Sequence, residues 1–110
     1  METTLFRQDP DSWLSSDIAI EVIGRMVAEQ MSLLYALLNE YRDAGIESDD
    51  ERVVNDVRHQ QYQQQIAVYR NEIKSIYRGE NKAEIFDRVE YEYAPYIKQK
   101  YAPSARVTQR

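Results

Sequence analysis

The chain has 110 residues, a net charge of -5, three glycines, three prolines and no cysteine, so one domain with one modest core is expected. Glycines scattered at Gly24, Gly45 and Gly79 exclude the clustered-glycine loops that cradle phosphates. The lack of cysteine excludes a disulfide framework, a thiolate zinc site and a thiol nucleophile.

Residues 1–16 form an arm with Leu5, Phe6, Trp13 and Leu14 among polar neighbours. Asp9 before Pro10 predicts a single helical turn there, and Trp13 is the residue through which the arm would dock. A first long helix is predicted over 17–44, started by the short oxygens of Ser15, Ser16 and Asp17 and stopped by Gly45. Its apolar positions Ile20, Ile23, Val27, Leu34, Leu37 and Tyr41, with polar Gln30 among them, alternate spacings of three and four, the pattern of a packing seam. Val22, Met26 and Leu33 flank one side and Met31, Tyr35 and Leu38 the other. This arc is too wide for a single neighbour, so helix 1 should be the most buried element, with Gln30 as a register-setting polar contact.

A second helix is predicted over 49–78, opened by Ser48 and Glu51 in capping-box spacing and closed by Gly79 after a basic last turn. The short connection between the two predicts an antiparallel hairpin. Helix 2 carries one stripe of Tyr62, Ile66, Tyr69, Ile73 and Ile76. Val54, Val57 and Val68 form a second stripe roughly 110° away at ~100° per residue. A third helix, over 82–94, starts at Asn81 and Glu84 and should break near Tyr93 or Ala94, because Pro95 lacks an amide proton and its ring opposes the preceding turn. It supplies Ile85, Phe86, Val89 and Tyr93 to one of the two stripes. Residues 102–110 have no periodicity and read as a mobile basic tail. The predicted fold is all-α: a long antiparallel helical hairpin plus a short third helix, in a single helical bundle with the arm and tail attached.

No stretch approaches the ~20 apolar residues that span a bilayer, and the N-terminal residues lack a secretory pattern, so a cytoplasmic protein with no membrane partner is expected. The acidic excess argues against binding duplex nucleic acid, whose recognition rests on Lys and Arg. One end is basic, with Lys98, Lys100, Arg106 and Arg110 interleaved with Tyr96 and Tyr101. Tyrosine joins large contact area to a polar tip and is enriched at interfaces. Tyr91, Tyr93, Tyr96, Lys98, Lys100 and Tyr101 are therefore the candidates for contact with a partner protein. The stripe of Val54, Val57 and Val68 is the candidate for self-association, because a hairpin with one short third helix does not close its own core and twofold dimers are the commonest oligomers. The segment from Asp87 to Tyr96 mixes carboxylates with aromatics, a composition able to imitate phosphate and base.

The single histidine, His59, follows Arg52 by seven positions, placing both on one face of an unbroken helix. An arginine followed after four to six residues by histidine on a helix resembles the active-site motif of HEPN-family ribonucleases, helical dimers that act on the RNA backbone. Here Val53 stands where that family usually has a polar residue, and Asp49, Asp50, Glu51 and Asp56 surround the pair. The cluster of Asp49, Asp50 and Glu51 is explained by a helix N-terminus, where negative charge is favoured. No calcium-loop or helical metal-binding motif occurs. The sequence thus leads to a non-catalytic protein-protein interaction module, a small acidic adaptor, assembly factor or inhibitor, with no cofactor or metal. The alternatives are an HEPN-like ribonuclease using Arg52 and His59, an inhibitor with a nucleic-acid-mimicking surface, and a structural scaffold subunit.

Overall fold

The computed structural model describes residues 14–101, and these form an all-α helical bundle with no strand among them. The tail 102–110 and all but the last residues of the arm, Trp13 included, lie outside the described residues.

Helix α1 spans Ser16–Asp43. Ser15, in extended conformation, accepts a bond from the Ile18 amide at 3.2 Å and so satisfies a first-turn donor. At the other end Gly45 takes φ +81°. Its amide bonds the Arg42 carbonyl and the Ile46 amide bonds the Tyr41 carbonyl, the paired closure that suits glycine beyond a helix end. Helix α3, Val57–Arg78, ends in the same way at Gly79, φ +74°, with the Glu80 amide on the Ser75 carbonyl.

The predicted second helix is not continuous. Its first turn is a separate element, α2, Glu51–Val54, capped by Asp50 rather than Ser48. The ladder stops at Asn55 and restarts with Asp56 as the cap of α3. The sequence Asp-x-Arg occurs on both sides of this break, at 50–52 and 56–58. Each aspartate accepts the backbone amide of the arginine two residues on, at 2.8 Å, and grips its guanidinium through both carboxylate oxygens. These local bonds compete with the helical ladder. The break also buries Val53 completely and brings the Asp56 carboxylate to 2.6 Å from the Tyr41 hydroxyl of α1.

The third helix also departs from expectation, by continuing through Pro95. Helix α4, Lys82–Arg88, runs into a π-helical segment, Val89–Tyr93, and then into α5, Ala94–Tyr101. Asn81 precedes it with φ +53° and makes no side-chain cap bond, so the predicted capping box with Glu84 is not formed. The Ala94 amide bonds the Val89 carbonyl, five residues back. The wider turn shifts the ladder by one residue next to the proline that cannot donate, and gives its ring room. It also explains the apolar pattern. Ile85, Val89 and Tyr93 are buried and Ile97 packs against the core, a repeat of four residues that drifts by about 40° per step in a uniform α-helix at 3.6 residues per turn. The π segment takes up that drift and keeps the four on one face.

Helices α1 and α3 form the hairpin; α4 packs on α3, and the π segment and α5 pack on α1. One core joins Ala19, Ile23, Met26, Val27 and Leu34 of α1 to Ile66, Tyr69 and Ile76 of α3 and to Ile85, Val89 and Tyr93. Since the C-terminal helices meet α1 near Ile18, Val22, Glu29 and Ser32, the half of the hairpin nearer residues 44–50 stays a two-helix layer.

Candidate functional site

Two carboxylates are buried in this bundle, Glu29 on α1 and Glu72 on α3. Both hold the C-terminal helices. Glu72 is met by the Tyr93 hydroxyl at 2.9 and 3.0 Å from its two oxygens, and by Arg88 Nε at 2.8 Å and Nη2 at 2.7 Å. Arg88 also bonds Glu84 at 3.1 Å. Burial and the Glu72 carboxylate push the Tyr93 phenol well above its ordinary range, so it stays a donor. Its ring meets Tyr69 edge to face, with centroids 5.4 Å apart at 85°, a favoured aromatic geometry. Glu29 accepts from the Tyr96 hydroxyl and the Lys100 ammonium of α5. Burial alone would raise the Glu29 carboxyl; the two donors and the positive charge outweigh it and hold the group below its ordinary value. No buried side-chain polar atom of the described residues lacks a partner.

The six candidates for partner contact therefore divide. Tyr93 is a core residue, because its hydroxyl has a buried acceptor waiting in Glu72. Tyr96 and Lys100 hold their own chain through Glu29, while keeping part of their surface in solvent. Tyr91, Lys98 and Tyr101 are exposed. Sequence reasoning missed Glu29 and Glu72, taking the neighbouring Gln30 as the polar seam residue. The available signal was a carboxylate one turn from buried apolar positions, Met26 and Tyr69.

Arg52 and His59 do not share a helix. The break at residues 55–56 assigns them to α2 and α3, so the common face expected of an unbroken helix does not exist. The Arg52 guanidinium is held by Asp50, with bonds of 3.0 and 2.9 Å, and that pairing keeps the Asp50 carboxyl down at about 2. Among the described residues no group of three or more His, Asp and Glu side chains is arranged to hold a metal ion. No described helix is long and apolar enough to cross a membrane.

Two surface grooves lie on the hairpin. One, of about 700 Å³, is lined by Tyr35, Leu38, Asn39 and Arg42 of α1 and by Ile46, Glu47 and Ser48 of the connection. Tyr35 is 55% exposed there. The other, of about 430 Å³, is lined by Gln30, Gln61, Tyr62, Gln64, Gln65 and Tyr69, between α1 and α3. Val54, Val57 and Val68, the self-association candidates, are exposed at 46%, 63% and 44%. No family model matches the chain, and neither a curated protein nor a solved structure matches it.

Proposed function

We propose that this protein is a non-catalytic protein-protein interaction module, an adaptor, assembly factor or inhibitor that acts by occupying a surface of a partner protein. The groove at the connected end of the hairpin carries this reading. There Tyr35, Leu38 and Ile46 offer apolar area beside Asn39 and Arg42, which offer directional hydrogen bonds, and tyrosine and arginine dominate binding energy at protein interfaces. The site is set on α1, a helix closed at both ends by the bonds described above, and binding to it requires little ordering of the chain.

The test is site-specific photo-crosslinking of the full chain in its native lysate. A crosslinking residue in place of Tyr35 should join one protein stoichiometrically, and the same residue in place of Tyr77, near the far end of α3 and 75% exposed, should not. Tyr35→Glu should abolish capture while the helical circular-dichroism signal stays unchanged. Identical products from positions 35 and 77, or no product from either, would contradict the proposal.

A further inference from the structure

Along α3, Val57, Gln61, Gln64, Val68, Asn71 and Ser75 recur at spacings of four, three, four, three and four. At ~100° per residue all six lie within about 40° of one line along the helix. The buried residues Ile66, Tyr69, Glu72 and Ile76 centre about 110° away by the same projection. The first five stripe residues are exposed and Ser75 is half-buried. None is charged, and residues 59–69 contain no Asp, Glu, Lys or Arg in a chain that is 30% charged.

We infer that α3 pairs antiparallel with α3 of a second copy of this chain through that stripe. Three observations select this occupant and this direction. A twofold axis brings groups near it against their own copies, so a charge there would meet a like charge; the stripe has none. Glutamine and asparagine amides each carry donors and acceptors, so they satisfy one another across such an axis. The order of spacings is also a palindrome. Reversing one helix superposes the stripe on itself over its whole length, with Val57 opposite Ser75, Gln61 opposite Asn71 and Gln64 opposite Val68 of the second copy.

Charge decides between antiparallel and parallel. Residues 45–58 carry five acidic and two basic side chains, whereas residues 70–78 carry Arg70, Lys74 and Arg78 with the one carboxylate, Glu72, buried against Arg88. In this register Asp56 of each copy falls level with Ile76 of the other, between Lys74 and Arg78, and the acidic residues 47–51 point past that basic end, whereas parallel pairing sets like beside like. The groove that joins Gln30 of α1 to Gln61, Gln64 and Gln65 widens the same uncharged face. This inference stands apart from the groove at Tyr35 and does not require a partner protein.

The native chain has no cysteine, which makes the register measurable in the full-length protein. The double variant Gln61→Cys with Asn71→Cys should oxidise to a covalent dimer through 61–71 bonds between copies. Gln61→Cys alone should not, because the two positions 61 then stand about 15 Å apart along the axis at ~1.5 Å per residue. Val68→Glu should leave the helical signal intact and weaken the dimer by about a hundredfold, since it sets uncompensated carboxylates near the axis. A wild-type chain that is monomeric at every concentration would overturn the inference. So would a covalent dimer from Gln61→Cys alone, which means parallel pairing, or a dimer that neither cross-links at 61–71 nor responds to Val68→Glu, which means another face.

Discussion

Tyr93 shows how one side chain can serve packing and polarity together: its ring stacks edge to face on Tyr69 while its hydroxyl meets a buried carboxylate. Removing only the hydroxyl, as Tyr93→Phe, leaves Glu72 short of one donor and should cost about 1–2 kcal/mol in urea unfolding. Arg88→Met leaves the same carboxylate buried without its cation. It should cost more, about 2–3 kcal/mol, the usual figure for a broken buried pair being lowered because Arg88 is partly solvated. A destabilisation by Arg88→Met smaller than that of Tyr93→Phe would contradict this ordering. Glu29 gives the pH dependence. Its carboxyl is held below the ordinary 4.5 in the fold, so the native state favours the ionised form. That contribution is complete above about pH 4.5 and is lost as pH falls through the folded value. Glu29→Gln should therefore flatten the loss of stability in acid, read as urea midpoints from pH 7 downward. The pairing of either carboxylate was not legible in the sequence, because the partners Arg88, Tyr93, Tyr96 and Lys100 lie 16 to 71 residues away and only tertiary packing brings them together.

The C-terminal ends of α1 and α3 were the most legible features, since a glycine beyond a basic last turn has one strong local reason to be there. Gly79 sits at φ +74° with nothing within 4 Å of an added Cβ, so Gly79→Ala should lower stability by about 1 kcal/mol through backbone strain alone. Gly24, inside α1 and equally uncrowded, should behave oppositely. Gly24→Ala should raise stability by about 0.5–1 kcal/mol, and thermal melts of the two variants separate the signs. Two features were not legible. The stripe of valines runs across residues 54–57 as if the helix were unbroken, and only the repeated Asp-x-Arg marks the break. Pro95 predicts a stop, whereas the four-residue repeat of Ile85, Val89, Tyr93 and Ile97 is the trace of the π segment that lets the helix continue.

At the scale of the whole molecule, the C-terminal helices cover one half of the hairpin and leave the other half open. The sequence conveyed that imbalance, as two stripes on one helix with too few neighbours to fill them. It did not convey that Tyr93, Tyr96 and Lys100 would be tied to carboxylates buried in the chain itself. The proposals made for the exposed surface are a partner protein at the Tyr35 groove and a second copy at the uncharged face of α3. Because antiparallel pairing sets Asp56 of each copy between Lys74 and Arg78 of the other, raising salt from about 0.05 to 0.5 M shortens the screening length severalfold and should weaken the dimer. Salt-independent affinity would remove the charge argument for the direction of pairing.

The most direct measurement is sedimentation equilibrium of the full chain over a wide concentration range at moderate salt. A particle of twice the 13.0 kDa chain mass that dissociates on dilution is expected, with the dissociation moved to about a hundredfold higher concentration in Val68→Glu. A wild-type particle of 13.0 kDa at every concentration would contradict the pairing.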